Sequence, residues 1–420
     1  MSDTVIFKGA AISGGIAIGT LVIKEHKYPI APAGTPLLLA ADELSPAEVL
    51  ACLKSGITSF IFHRCSETAH AAILARGMET PSLYGIRVPR EYHGSPAIID
   101  GDSGTLIVEP DAVTLAFYHT RLQDRAREEE ELRALVNTPT LTKNGKQITL
   151  AANVNKLSDL TKAIENGAEG IFFKTEFLFL EAKDYPTEDE QFEVYRAIAS
   201  RMKQKRAVIR TADIGADKTA DYFALDSEEN PALGIRGIRL SLRRPELFLT
   251  QLRAILRASA YGNLAIMLPM ITSPEEITAA RAMIRRAEEE LTLRGEPYRE
   301  SIPLGIMIET PASAILCDEL ARSVDFFSIG TNDLTQYVLA ADRQAPALSE
   351  LYDPRHRAVK ALLRYVIERA NANGIEVGIS GELAQDTEIL PELVRCGLSL
   401  LAVPPTKLLP IKKAIGDISE

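Results

Sequence analysis

No stretch of this 420-residue chain approaches the run of about 20 apolar side chains needed to cross a bilayer, so no membrane span is expected. It has no block of lysine and arginine. With 57 acidic and 47 basic residues the formal net charge is -10. That argues against nucleic acid as the main partner, because nothing is there to neutralise a phosphate backbone. Cysteine is scarce: Cys52, Cys65, Cys317 and Cys396 are scattered without metal-type spacing, which fits a reducing cytoplasm. The opening Met-Ser-Asp-Thr-Val-Ile-Phe-Lys lacks the cationic start and apolar core of a signal peptide, again pointing to the cytoplasm. No Gly-x-Gly-x-x-Gly fingerprint follows an early strand, which weighs against an open dinucleotide-binding sheet.

What is present is 46% hydrophobic residues, ample for a large core, in a length that allows one to three domains. Residues 1–115 carry short β-like runs at Val5–Phe7, Ala17–Lys24, Pro36–Ala40, Ser59–His63, Ala97–Asp100 and Thr105–Val108. A helix is expected at Pro46–Gly56 and another from about Thr68. This part reads as a small mixed α/β domain. Residues 116–140 are highly charged with a helical pattern, stopped by Pro139, and read as a solvated connecting helix. From 141 to 420 strands alternate with amphipathic helices. Strands are expected to begin at Ile148, Gly170, Ala207, Leu264, Leu304, Phe326, Glu376 and Leu398. About eight β units in this length match an α/β fold of the (β/α)₈ TIM-barrel kind.

Several of these apolar runs end in chemistry. Leu-Gly-Ile-Met-Ile-Glu closes on Glu309, and Phe-Phe-Ser-Ile-Gly-Thr-Asn-Asp on Asn332 and Asp333. Two carboxylates delivered from two strand ends suit a hard cation such as Mg²⁺. Arg210 ends another run, with Arg236 and Arg239 nearby. Guanidinium groups beside Mg²⁺ hold small phosphorylated anions. Glu382 follows a further strand. In a barrel all of these lie at the C-terminal face, where active sites form. His70 opens the helix Ala-His-Ala-Ala-Ile-Leu-Ala-Arg. The helix dipole keeps an imidazole neutral there, and first-turn amides can hold a phosphate beside it, as a nucleophile requires.

Long stretches carry a resemblance: Asn-Gly-Ala-Glu-Gly-Ile-Phe-Phe-Lys-Thr-Glu-Phe-Leu-Phe at 166–179, Arg-Thr-Ala-Asp-Ile-Gly-Ala-Asp-Lys at 210–218, Glu-Asn-Pro-Ala-Leu-Gly-Ile-Arg at 229–236, and Phe-Phe-Ser-Ile-Gly-Thr-Asn-Asp-Leu-Thr-Gln-Tyr at 326–337. With the His70 helix, these make the chain similar to the enzyme I proteins of the bacterial phosphoenolpyruvate:sugar phosphotransferase system. More broadly it resembles the phosphoenolpyruvate-utilising family that includes pyruvate phosphate dikinase. The resemblance implies an N-terminal swivelling β/β/α phosphohistidine domain at 1–115, a helical linker at 116–140 and a phosphoenolpyruvate-binding barrel at 141–420. It implies a phosphoryl group moving from phosphoenolpyruvate to His70 and on to an acceptor, with pyruvate released. Carried over by position, it implies Glu309 and Asp333 as the Mg²⁺ ligands. Arg210, Arg343, Asn332, Lys174 and Arg236 hold substrate. A homodimer through the barrel is implied as well.

The sequence also departs from the family. The inserted helical domain that docks the carrier protein HPr has no counterpart, because the strand region 13–22 leads almost directly into the next β segment. HPr is therefore not the acceptor to expect, and the acceptor, protein or small molecule, stays unidentified. Lys174 replaces an arginine and loses its bidentate fork. Ser380 replaces the cysteine that protonates the enolate, and a hydroxyl is a far weaker acid than a thiol of pKa about 8.5. Cys65, Ser66, Glu67 and Ala69 alter the approach to His70. The favoured function is a Mg²⁺-dependent phosphotransferase. The alternative is a catalytically impaired regulatory protein that binds phosphoenolpyruvate or pyruvate.

Overall fold

The computed structural model describes residues 4–24, 36–64, 70–78, 80–215, 221–223 and 228–419; at His70 only the backbone is described. The chain divides into two compact units, 1–130 and 131–420.

The first unit is built on eight strands: β1 (Val5–Lys8), β2 (Ala10–Ser13), β3 (Ile16–Ile23), β4 (Leu37–Ala41), β5 (Ile57–Phe62), β6 (Ser82–Tyr84), β7 (Pro96–Asp100) and β8 (Thr105–Val108). They form one sheet in the order β1-β8-β7-β3-β4-β5-β6-β2. Strands β3 to β6 are parallel, and the pairs at both flanks are antiparallel. Alternate side chains feed two cores. Leu37, Leu39, Phe60 and Phe62 pack with Val49, Cys52, Ala72 and Ala75 of the helices Pro46–Lys54 and His70–Gly77, while Leu38, Ala40, Ile61 and Leu83 face the other way. The first of these helices starts where Ser45 and Glu48 exchange hydrogen bonds, a capping box.

All six expected strands are present. β2 and β6 were not expected. They are short and hold one β-branched residue between them, against two or more in each of β1 and β8, and they pair with each other at the sheet edge. Only residues 24–36 separate β3 from β4, leaving no room for an inserted helical domain there.

The connecting helix spans Ala112–Ala134 and ends before Pro139. Its end is set by Leu135 and Val136, whose amides bond three residues back and tighten the last turn. Buried Asp100 accepts from Tyr118 Oη at 3.0 Å and Arg121 Nη1 at 2.7 Å, pinning the first half of this helix to the sheet.

The second unit is a closed parallel barrel of β9 (Thr149–Val154), β10 (Gly170–Lys174), β11 (Arg206–Arg210), β12 (Leu264–Leu268), β13 (Leu304–Ile308), β14 (Phe326–Gly330), β15 (Glu376–Ser380) and β16 (Leu400–Val403). Every strand start lies within two residues of its expected position, and the helices between strands cover the outside. The interior is filled by small and large side chains in turn, among them Ala151, Phe172, Met267, Phe326 and Leu400. At the N-terminal end Arg206 pairs with Glu376 and lies 5.1 Å from the Phe326 ring centroid, stoppering the barrel.

Gly305 sits inside this packing. A methyl group there would meet the Phe326 ring at 2.3 Å. Gly305→Ala is therefore expected to destabilise the barrel by about 1–3 kcal/mol through overpacking. Chemical denaturation should show a lowered midpoint, recovered in part when Phe326 is also made leucine.

Candidate active site

The strand ends place polar groups around one mouth. Lys174, Arg210 and Ser380 are the last residues of β10, β11 and β15. Asn155 and Glu309 lie just past β9 and β13. Asn332 and Asp333 stand in the first turn of the helix Thr331–Leu339, directly after β14. Together with Arg343 all eight line a single cavity of about 310 Å³, whose apolar wall includes Phe177, Leu180 and Met307. Seven of the residues singled out from sequence thus meet in one place: Lys174, Arg210, Glu309, Asn332, Asp333, Arg343 and Ser380.

Arg236 is the exception. It is 1% exposed and does not line the cavity. Its Nε and Nη2 donate to the two oxygens of Asp213 at 3.2 and 2.9 Å, and its Nη1 donates to Asp333 Oδ1 at 3.1 Å. It is a strut behind Asp333 instead of a substrate contact, because both edges of its guanidinium are already used. Arg239 binds the backbone carbonyls of Leu233 and Gly234, with no acidic partner among the described residues. Glu382 turns its backbone towards the site: its N–H donates to Asn332 Oδ1 at 3.0 Å. His70 opens the helix His70–Gly77 in the first unit. Cys65, Ser66, Glu67, Thr68 and Ala69 lie outside the described residues.

The electrostatics are those of an uneven charge balance. Arg210 donates to Glu176 Oε1 at 2.5 Å and lies 3.7 Å from Asp213. Burial opposes the Arg210 charge, but the carboxylates of Glu176, Asp213, Glu309 and Asp333 outweigh it and hold the guanidinium firmly protonated. Arg236 is held in the same way by Asp213 and Asp333. Arg343 Nη1 is 3.7 Å from Asp333 Oδ2. Glu309 takes one hydrogen bond, from the amide of Met270 at 2.7 Å, and its Oε2 is buried with no partner. Its carboxyl is pushed up to about 7, first by burial and then by the charges of Asp333 and Asp213, against the pull of Arg210 and Arg236.

These residues fit a Mg²⁺ ion. Among the described residues no group of three or more acidic, histidine or cysteine side chains is poised to hold a metal. Mg²⁺ needs no such cage. It commonly takes one or two carboxylates and completes its octahedron with water and substrate oxygens. Glu309 and Asp333 would be those two, and a cation at the unpartnered Glu309 oxygen would relieve the excess negative charge. A side chain at Gly330 would meet that oxygen at 2.8 Å, so glycine keeps its place open.

Sequence reasoning missed Glu176 and Asn155. Asn155 follows a strand, as Glu309 does, and that position was the available signal. Glu176 lies in a helix after β10, and its partner Arg210 is known only from the fold.

The chain matches the family models described as PEP-utilising enzyme, PEP-binding domain, over residues 129–419, and PEP-utilising enzyme, mobile domain, over residues 35–104. It is 39% identical over 387 residues to the phosphoenolpyruvate-protein phosphotransferase of Bacillus subtilis (strain 168), covering 91% of this chain and 68% of that protein. It is 39% identical over 389 residues to the protein of that name from Staphylococcus carnosus (strain TM300), and 40% over 390 residues to that from Listeria innocua serovar 6a, with the same shares covered. The chain belongs to the PEP-utilising enzyme family.

Two outcomes follow from the geometry. Gly381 has φ 103°, and a methyl group there would meet Thr331 Oγ1 at 2.4 Å and Asn332 Oδ1 at 2.7 Å. Gly381→Ala should therefore displace Asn332 and weaken binding of an anionic ligand about 10- to 100-fold, the worth of one hydrogen bond to a charged group. Calorimetry would measure this loss. Second, a carboxyl raised from 4.5 to about 7 binds its proton more tightly in the folded state. In cation-free protein its contribution favours folding below pH 4.5 and is lost as pH rises through about 7. Thermal midpoints should fall between pH 5 and 8 more steeply in the wild type than in Glu309→Gln.

Proposed function

We propose that the chain moves the phosphoryl group of phosphoenolpyruvate to His70, releases pyruvate, and passes the phosphoryl group to an acceptor that is a protein or a small molecule. The observation that carries this is the composition of one cavity: three carboxylates, two guanidiniums, an ammonium and two amides around a space suited to a small anion. The mobile-domain match and the names of the relatives support histidine as the first acceptor.

Mg²⁺ held by Glu309 and Asp333 would draw charge from the phosphoryl oxygens. Arg210 reaches the cavity from β11 with its Nη2 committed to Glu176, and its Nε is buried without a partner. It therefore faces an anion with donors to spare. Arg343, about a quarter exposed at the rim, clamps the opposite end. Asn332 accepts from the Glu382 amide through its carbonyl oxygen, which leaves its NH₂ to donate to substrate oxygen. Lys174 supplies charge without a fork, so the orienting weight falls on the two arginines. Transfer of a phosphoryl group needs in-line placement and cationic stabilisation more than covalent help. His70, neutral at a helix start, attacks phosphorus. The bond to the enol oxygen breaks, and the enolate takes up a proton, with Ser380 as the nearest hydroxyl donor.

Residues 1–115 are the carrier, 116–140 its helical linker and 141–420 the substrate barrel; the division of the chain into two compact units supports a carrier that works apart from the barrel. A homodimer through the barrel belongs to the same proposal. No helix of the described residues is long and apolar enough to cross a membrane.

Intact-mass spectrometry at neutral to alkaline pH, after incubation with phosphoenolpyruvate and Mg²⁺, tests the first step. A phosphoryl adduct is expected on the wild type and absent from His70→Ala. Binding by calorimetry with no adduct would sink the phosphotransferase and leave a sensor of phosphoenolpyruvate or pyruvate.

A further inference from the structure

At the floor of the cavity a few polar side chains stand among the apolar ones that pack the barrel interior. The strand register sets Asn153, Arg210, Met307 and Ser380 in one layer, drawn from β9, β11, β13 and β15. Phe172, Met267, Ser328 and Ala402 form the layer beneath, from the intervening strands. The contact of Arg210 Nη1 with Met307 Sδ at 3.3 Å agrees with that layering.

Besides Arg210 Nε, two polar atoms in these layers are buried without a hydrogen-bond partner: Asn153 Oδ1 and Ser328 Oγ. Ser328 is 0% exposed. Both flank Ser380. Asn153 is tethered to it on one side, because its Nδ2 donates at 2.8 Å to the carbonyl of Ala402, the register partner of Ser380. Ser328 precedes Ile329, whose carbonyl accepts from Ser380 Oγ at 3.4 Å on the other side. That bond is long and weak, so the Ser380 hydroxyl is barely engaged. An acceptor-only oxygen and a hydroxyl that do not reach each other leave two needs that one water satisfies.

We propose that an internal water bridges Asn153 Oδ1, Ser328 Oγ and Ser380 Oγ, and that it enables Ser380 to protonate the enolate, with Asn153 and Ser328 as positioning residues. The inference rests on the phosphotransferase reading of the same site. In the step, the Ser380 O–H bond breaks and a C–H bond forms at the enolate methylene carbon, giving the methyl group of pyruvate. The water returns a proton to the Ser380 oxygen, and the hydroxide left behind is neutralised by a proton from solvent through the cavity mouth. No electrons change hands. A serine can do this because its conjugate base never accumulates: the water at its back refills it as it gives.

The test is exchange of pyruvate methyl protons in D₂O with Mg²⁺, followed by proton NMR, on the full chain and its variants. The wild type should exchange and Ser380→Ala should not. Ser328→Ala and Asn153→Ala should slow exchange by about tenfold or more, and Ser328→Thr should restore it. Phosphorylation of His70, followed by intact mass in the same variants, reports the phosphoryl step separately. Wild-type exchange rates in Ser328→Ala and Asn153→Ala, or no exchange in the wild type, overturn the proposal. Exchange that depends on Ser328 without any His70 adduct would sink the phosphotransferase and leave the proton relay standing. Thermal unfolding gives a readout free of turnover. Removing a dry, unpartnered hydroxyl is neutral or stabilising, while removing one that holds a water is costly. Ser328→Ala should therefore lower the unfolding midpoint, and an unchanged or raised midpoint overturns the bridging water.

Discussion

The site depends on how buried charge is compensated at the barrel mouth. Four carboxylates, Glu176, Asp213, Glu309 and Asp333, face two buried guanidiniums, Arg210 and Arg236. Each ion has lost most of its hydration, and such losses are tolerated only with close pairing. Arg236 satisfies Asp213 with both of its forward donors and still reaches Asp333. Arg210 satisfies Glu176. Glu309 is left with one amide and an empty oxygen. The deficit is therefore concentrated on one side chain, whose carboxyl titrates near neutrality. A proton or a cation must make up the difference.

That concentration has a mechanical side. Asp333 cannot swing away to relieve Glu309, because Arg236 holds it from behind and Arg343 from the rim. The strut is anchored in turn by Asp213, which is 0% exposed. Asp333 is thus held beside Glu309 by ion pairs made within the barrel itself, an ordering settled during folding. Preorganisation of this kind is what electrostatic catalysis needs, since no protein dipole has to turn as charge develops.

Much of this was legible in the sequence because strand ends are legible. An apolar run repeated eight times between amphipathic segments gives the barrel, and the runs that stop at a charged residue mark the face on which the charges gather. Arg210, Glu309, Asn332 and Asp333 line one cavity for that reason, while Lys174, Arg343 and Ser380 were expected there from the family resemblance. The role of Arg236 could not be read in the same way. Its partners lie 23 and 97 positions away in the chain, and a linear pattern does not say which acid meets which base. Glu176 was missed for the same cause. β2 and β6 escaped because they are short and, unlike four-residue β1 and β8, nearly lack β-branched residues. The polar floor formed by Asn153 and Ser328 lies inside runs that otherwise look like ordinary strand interior, and only closing the barrel brings the two to either side of Ser380.

The stopper of Arg206, Glu376 and Phe326 closes the barrel at the end away from the site. With that end plugged and the interior packed, the mouth lined by Lys174 and Arg343 serves both ligand and any solvent proton that follows it.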